Sequence, residues 1–300
     1  MKTESRSDTR PVRVEEIAPA KVNLFLSVGG KREDGYHEIV SLMETVSLCD
    51  KLTVQIEKNV LPEIKLSVSG KYYVPKDPSN LVIRAAETFF ATIGKRFSLS
   101  VSLQKNIPTE AGLGGGSADA AAMLRALNRL AGNPLTPEDL RRLAVSLGAD
   151  VAFCLFGGTA VCTGIGDRIQ PIADPARRFY TVLMGADRVS TPAAYRALDE
   201  ERSRNNNAGK LSATSELAAL SRGANVPLLN DFESAVFPAH PGIAELKARL
   251  LSLGASDALM SGSGAAVFGL FPDAASAVRA ASAVSDADAF AVRTVGRYYP

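Results

Sequence analysis

The segment Pro108-Thr-Glu-Ala-Gly-Leu-Gly-Gly-Gly-Ser-Ala118 places four glycines, Gly112, Gly114, Gly115 and Gly116, within five residues and then runs into alanines. Each glycine costs backbone entropy on folding, so a cluster of this density needs a use. Without Cβ atoms, several backbone N–H groups can face one concavity, the geometry that holds an anion. A helix predicted over 117–131 adds its free N–H groups and a partial positive charge at the same point. The chemistry suggested is phosphate binding, with room for a triphosphate; a glycine-rich turn shaped only by packing is the alternative. Two other phosphate loops are excluded. No Lys-Ser/Thr pair follows the last glycine, as a Walker A loop requires. The order Gly112-x-Gly114-x-x-Ser117 lacks the third glycine of a dinucleotide fingerprint, and the strand before it alternates instead of reading as a buried run.

Other side chains with chemical potential are scattered along the chain. Lys21 and Asn23 stand two apart in an alternating run, so they project from one face of a strand. Taken alone, such a lysine is ordinarily paired or snorkelling at a surface. Asp150, in Gly148-Ala-Asp150, falls just past a predicted helix end, where an aspartate commonly bonds its own backbone. Lys105 precedes the loop by three residues, as a solvated strand end or a phosphate contact. Tyr36-His37 follows the turn dipeptide Asp34-Gly35, and Tyr195 lies four residues after Thr191. Gly262 and Gly264, in Ser261-Gly-Ser-Gly264, form a second glycine turn.

The elements that must position these residues are mostly legible. Val22, Leu24, Leu26 and Val28 alternate with polar or aromatic neighbours, predicting a strand. Asp34-Gly35 predicts the turn into a second strand over 39–48, with further short strands over 52–56 and 64–68. Asn80 caps a helix carrying Leu81, Ala85 and Phe89 on one face and stopped by Gly94. A strand with one wet face, 97–103, leads to the glycine loop. Thr136-Pro-Glu-Asp139 opens a helix to Leu147, with Gly148 predicted as its left-handed terminus. Beyond Asp167 come a strand over 180–184, a helix from Thr191-Pro192, a polar stretch over 199–209 predicted to be a mobile loop, a helix over 242–253 and a strand over 267–271. Mixed short strands and helices predict an α+β fold with a boundary near 165–175.

Bulk properties narrow the class. The chain has 300 residues, 46% hydrophobic and 22% charged, with a net charge of +2. That describes a soluble two-domain protein without a nucleic-acid footprint. The 3 cysteines are widely spaced and the 2 histidines far apart, which excludes a structural zinc site and predicts reduced thiols in a cytoplasmic protein. No secretory signal or membrane span is expected.

Six stretches in order, Pro19-Ala-Lys-Val-Asn-Leu24, Asp34-Gly-Tyr-His37, Ser79-Asn-Leu-Val82, the glycine loop, Gly148-Ala-Asp-Val151 and Ser261-Gly-Ser-Gly264, resemble the GHMP kinases over 18–271. The first two resemble the branch whose alcohol substrate carries a cytidine diphosphate and whose product leads to isoprenoid precursors. The resemblance implies a two-domain GHMP-kinase-like fold with the active site in the cleft between domains. Its implied division is a disordered tail over 1–14, an ATP-binding domain over 15–170 and a substrate-side domain over 171–300. It implies ATP with Mg2+, with the ligands of the ion left open, a small-molecule partner, and no nucleic acid, membrane or obligate protein partner. Lys21 and Asp150 become the catalytic pair. Pro108, Thr109, Glu110, Ala111, Gly112, Leu113, Gly114, Gly115, Gly116, Ser117, Ala118 and Asn80 become the nucleotide site. Asn23, Tyr36, His37, Lys105, Thr191, Tyr195, Gly262 and Gly264 become the substrate site. In it Tyr36 and Tyr195 would clamp the cytosine while His37 bonds its edge.

Overall fold

The computed structural model describes residues 12–57, 61–173, 177–205, 211 and 228–298. Two long strands organise the first half: β1 (Val12–Lys31) and β2 (His37–Glu57), paired antiparallel. The strand begins at Val12, inside the stretch expected to be a disordered tail; the rest of that tail, 1–11, lies outside the described residues. The turn at Arg32–Tyr36 carries Gly35 at φ 85°, the conformation that Asp-Gly supplies without strain. β2 is one strand, not the two expected, because the polar residues that seemed to break it are satisfied from elsewhere. Asp50 accepts from the Ile107 backbone N–H at 2.9 Å.

β3 (Ile64–Gly70), β4 (Ser98–Lys105), β5 (Thr159–Gly164) and β6 (Arg168–Pro171) complete this sheet in the order β3-β4-β2-β1, with β5 on β2 and β6 on β5. The helices α1 (Leu81–Ile93), α2 (Gly115–Leu130), α3 (Pro137–Leu147) and α4 (Ala149–Phe156) pack a shared core with it. The caps are those the sequence predicts: Asn80 Oδ1 accepts from the Val82 N–H at 2.9 Å, Gly94 is left-handed, and Thr136 and Asp139 form a capping box. Helix α2 starts two residues earlier than expected. Gly148 is not a left-handed helix end; it is near-extended, with φ 158° and ψ 151°, and joins α3 directly to α4. Apart from Asp150, α4 is apolar and has no periodicity to betray it, and it puts Asp150 in the first turn of a helix instead of a loop.

A second, antiparallel sheet of four strands follows: β7 (Phe179–Met184), β9 (Asp257–Met260), β10 (Val267–Phe271) and β11 (Asp288–Arg293), ordered β11-β7-β10-β9. Between them run α5 (Thr191–Arg204), β8 (Leu229–Asn230), α6 (Glu233–Val236), α7 (Pro241–Ser252) and α8 (Ala274–Ser282). Residues 199–204, expected in a mobile loop, belong to α5; 206–209 lie outside the described residues. The two-residue β8 returns to pair parallel with β1, so the second half of the chain contributes to the first sheet.

The halves share one apolar core, in which Val22, Leu24 and Leu26 of β1 meet Tyr180, Val267 and Phe268. A buried polar knot also spans them. Glu44 of β2 accepts from Tyr180 Oη at 2.5 Å, Arg178 Nη1 at 2.7 Å and Thr294 Oγ1 at 2.8 Å. Its loss would leave a buried charge network unpaired, which holds the relation between the sheets. Among the described residues no helix is long and apolar enough to cross a membrane.

Candidate active site

A cavity of about 600 Å³ opens between the glycine loop, β1, the start of α4 and the start of α5. Its lining brings together Lys21, Asn23, Tyr36, Lys105, the whole of 108–117, Asp150, Thr191, Tyr195 and Gly262. Chain positions more than 200 residues apart thus meet around one space.

Lys21 is the centre of this arrangement. The register of β1 against β2 shifts between Pro19 and Lys21 and again between Asn23 and Phe25. Such irregularities re-aim side chains, and here they bracket Lys21 and Asn23, the two polar residues of the stretch 17–26. Lys21 is 3% exposed. Its Nζ donates to Asn23 Oδ1 at 2.7 Å and lies 3.4 Å from Asp150 Oδ2. Asn23 Nδ2 in turn donates to Ser41 Oγ at 2.8 Å, which fixes the amide orientation. The ammonium is therefore immobilised beside the carboxylate, the arrangement that stabilises charge without reorganisation.

Two glycine turns enclose that lysine because neither has a Cβ in the way. A Cβ on Gly114, at φ 68°, would stand 2.9 Å from Lys21 Cγ, and one on Gly262 would stand 3.3 Å from Lys21 Nζ. The turns also lock onto each other. A Cβ on Gly112 would fall 1.9 Å from the Ser261 carbonyl oxygen, Ser261 Oγ donates to the Gly112 carbonyl at 2.9 Å, and Thr191 Oγ1 meets Ser263 Oγ at 2.9 Å. Asn230 donates to the carbonyls of Met260 and Gly262 at 2.7 and 2.8 Å and so sets the second turn. Helix α2 begins at the loop, and its first residues Gly115, Gly116 and Ser117 line the cavity; the free N–H groups and dipole of a helix N-terminus favour an anion there.

Lys105 touches the cavity, yet its ammonium is already paired. It is 1% exposed and its Nζ pairs with Asp50 and, at 2.7 Å, with Asp119 of α2. A Cβ on Gly115 of the loop would stand 3.3 Å from the Lys105 Nζ. Burial pushes the Asp119 carboxyl up to about 8 against the pull of Lys105, and its Oδ1 has no hydrogen-bond partner. The triad braces the loop from beneath.

Four expected site residues do not line the cavity. Asn80 uses both ends of its amide as a cap and a brace to the Pro75 carbonyl, leaving the wall to its neighbour Leu81. Ala118 is buried within α2, and a side chain on Gly264 would meet Met260. His37 stacks on Tyr195, with ring centroids 4.8 Å apart and planes 25° apart, and its Nε2 lies 2.8 Å from Asp199 Oδ1. Tyr195 and Phe232 lie perpendicular, with ring centroids 4.8 Å apart, and burial together with the Asp150 charge pushes the Tyr195 hydroxyl up to about 12. Sequence reasoning missed Val74, Leu81, Ile39, Met43 and Phe232 as apolar lining; no pattern separates them from core residues. Asp199 was missed because it stands in a polar run.

The chain matches the model of the GHMP kinases N terminal domain over residues 80–158 and that of the GHMP kinases C terminal domain over 209–289. It is 42% identical over 267 residues to the 4-diphosphocytidyl-2-C-methyl-D-erythritol kinase of Desulfitobacterium hafniense, covering 86% of this chain and 87% of that one. To the kinase of the same name from Syntrophotalea carbinolica it is 40% identical over 285 residues, 93% and 98% of the two chains. The crystal structure of a 4-(cytidine 5'-diphospho)-2C-methyl-D-erythritol kinase superposes with a TM-score of 0.77 at 38% identity, covering 94% of this chain and all (100%) of the other. The mevalonate kinase of L. major shares the fold, with a TM-score of 0.70 at 16% identity over 99% and 100% of the chains. The chain belongs to the GHMP kinase family, within the branch of the 4-diphosphocytidyl-2-C-methyl-D-erythritol kinases.

Proposed function

We propose that the protein transfers the γ-phosphoryl group of ATP to the 2-hydroxyl of 4-diphosphocytidyl-2-C-methyl-D-erythritol. The observation that carries this reading is the Lys21–Asp150 pair, 3.4 Å apart, facing the mouth of a glycine loop that opens a helix. Phosphoryl transfer asks the protein mainly for positioning and charge stabilisation, and these groups supply both. The loop and the N-terminus of α2 hold the triphosphate. Asp150 accepts the proton of the attacking hydroxyl, and Lys21 sits where negative charge accumulates. Asn23 orients Lys21 and the hydroxyl.

Among the described residues no group of three or more His, Cys, Asp or Glu could cage a metal ion. Ser117, which lines the cavity in the first turn of α2, would offer its hydroxyl to Mg2+, with phosphate oxygens and water as the other ligands. When bound, the ion neutralises the β- and γ-oxygens of ATP. Tyr36 and Tyr195 both face the cavity and would stack on the cytosine from its two sides. Release of ADP measured with the cytidine substrate, homoserine and mevalonate side by side tests the assignment. Turnover confined to the cytidine substrate is expected. Turnover with homoserine or mevalonate alone would move the protein to another kinase of the same fold.

A further inference from the structure

Asp150 stands in the first turn of α4, a helix of only 8 residues whose N-cap, Gly148, has no side chain to anchor it. The opposite end is anchored at every point. A helix leaves its last four carbonyls without partners inside the helix. Here the Phe153 carbonyl accepts from the Gly157 N–H at 3.0 Å, and the Phe156 carbonyl from the Tyr298 N–H at 3.2 Å. The Cys154 carbonyl accepts from Tyr298 Oη at 2.7 Å and from Arg125 Nη1 at 3.1 Å. The same Nη1 reaches the Leu155 carbonyl at 3.4 Å. Gly157 makes room for this packing, since a Cβ on it would fall 2.1 Å from the Tyr298 ring.

Arg125 also reaches beyond α4. It lies on α2, the helix that opens from the glycine loop, and is 3% exposed. Its remaining donors go to β1, the strand that carries Lys21. Nη2 donates to the Ile17 carbonyl at 2.7 Å and Nε to Glu16 Oε2 at 3.0 Å. The guanidinium carbon lies 4.9 Å from the Tyr298 ring centroid, a cation–π contact. One planar cation thus ties together the elements that bear the loop, the lysine and the aspartate. Three of its bonds go to backbone carbonyls, so they fix the elements themselves and not a side-chain rotamer. β1 is paired with β2 along nearly its whole length, so the element whose position this clamp decides is α4. Cys154 is one turn from Asp150, about 6 Å along the axis, and a shift at the clamp is passed on through a rigid helix.

We infer that Arg125 and Tyr298 set the position of α4 and so hold the Asp150 carboxylate 3.4 Å from the Lys21 ammonium. Neither residue lines the cavity, and both are positioning residues for the transfer. This rests on the reading of Asp150 as the acceptor of the hydroxyl proton.

The test is a double-mutant cycle in kcat, with ATP and the cytidine substrate, at a temperature well below the Tm of every variant. Arg125→Lys keeps the charge but replaces a fork of donors by one ammonium, which cannot reach α4 and β1 together. Tyr298→Phe keeps the ring and removes only the hydroxyl. A misplacement near 1 Å costs on the order of a hundredfold, so kcat should fall roughly 10- to 100-fold in Arg125→Lys and about three- to tenfold in Tyr298→Phe. The KM for each substrate should stay within about twofold, because neither binding surface is touched. In the Asp150→Asn background no carboxylate is left to misplace, so each substitution should lower kcat by less than about twofold. A merely structural role would lower Tm, leave kcat per folded molecule unchanged and show no dependence on Asp150. Wild-type kcat in the folded variants would overturn the inference, as would losses that multiply with that of Asp150→Asn; the reading of Asp150 would stand in both cases. If Arg125→Lys does not fold, Tyr298→Phe decides by the same two readings. An Asp150→Asn enzyme as fast as the wild type would overturn the inference together with the reading it rests on.

Discussion

Replacing Gly114 by alanine separates the role of the loop in holding Lys21 from its role in folding. Gly114 has φ 68°, and a Cβ there would lie 2.9 Å from Lys21 Cγ and 3.2 Å from Lys21 Cε. Carbon atoms in contact settle near 3.5–4.0 Å, so the lysine stem must retreat by about 0.7 Å. That displacement reaches Nζ, which now sits 2.7 Å from Asn23 and 3.4 Å from Asp150. A misplacement of about 1 Å at a reacting centre costs on the order of a hundredfold in rate, so kcat should fall roughly 10- to 100-fold. The left-handed backbone itself costs an alanine about 1–2 kcal/mol, which lowers Tm by roughly 3–6 °C in a chain of this size. Gly94→Ala is the matched control. Gly94 has φ 65° and nothing within 4 Å of a built Cβ, so it carries the same backbone strain without touching the site. Steady-state ADP release and thermal melting on both variants check the reasoning. Equal Tm losses with loss of kcat in Gly114→Ala alone are expected. A Gly114→Ala enzyme with the kcat of Gly94→Ala would refute the idea that the loop positions Lys21.

Other outcomes follow from the same geometry. Gly116→Val should weaken ATP binding, measured by calorimetry, with little effect on the other substrate, because a Cβ there meets only Leu81 Cδ1, at 3.5 Å, and the residue faces the cavity. Tyr195→Ala should raise the KM for the cytidine substrate about tenfold to a hundredfold, since base–aromatic stacking is worth ~1–3 kcal/mol, and leave the KM for ATP nearly unchanged. The folded state holds the Asp119 proton up to about 8, above the ordinary carboxylate range, chiefly through burial. The stability this contributes is fully present below the unfolded value and is lost as pH rises through about 8. Melting curves from pH 6 to 9 should therefore decline more steeply for the wild type than for Asp119→Asn, in which that position stays neutral.

Local signals carried far in this sequence. Asn80 and the Thr136–Asp139 box each mark a helix end by a bond made within a few residues, and Gly94 marks one by its left-handed backbone, so they could be read directly. The Lys21/Asn23 pair was legible as one strand face because a period of two needs no tertiary knowledge. What failed has a common cause: polar residues whose partners are distant in sequence. Asp50 falls in the gap between the two expected strands, yet it is buried against Lys105 and the backbone of Asn106 and Ile107. Lys105 looked exposed, because nothing local announces Asp50 and Asp119. The run from Asp199 looked like a loop, but it is the wet end of α5, with Asp199 turned onto a histidine 162 residues away. The α4 helix was invisible for the opposite reason, being apolar apart from Asp150, and with it went the knowledge that Asp150 stands on a helix N-terminus.

The most direct test of the central claim sets Asp150→Asn beside the wild type in one experiment: turnover of the cytidine substrate with ATP, and calorimetric binding of each ligand to the same preparations. Asparagine keeps the shape but cannot take the hydroxyl proton, and base catalysis is typically worth ~10²–10⁴-fold. The account predicts a kcat lower by at least about a hundredfold with both ligands still bound at near wild-type affinity. A folded Asp150→Asn enzyme that turns over the cytidine substrate at near the wild-type rate would contradict it.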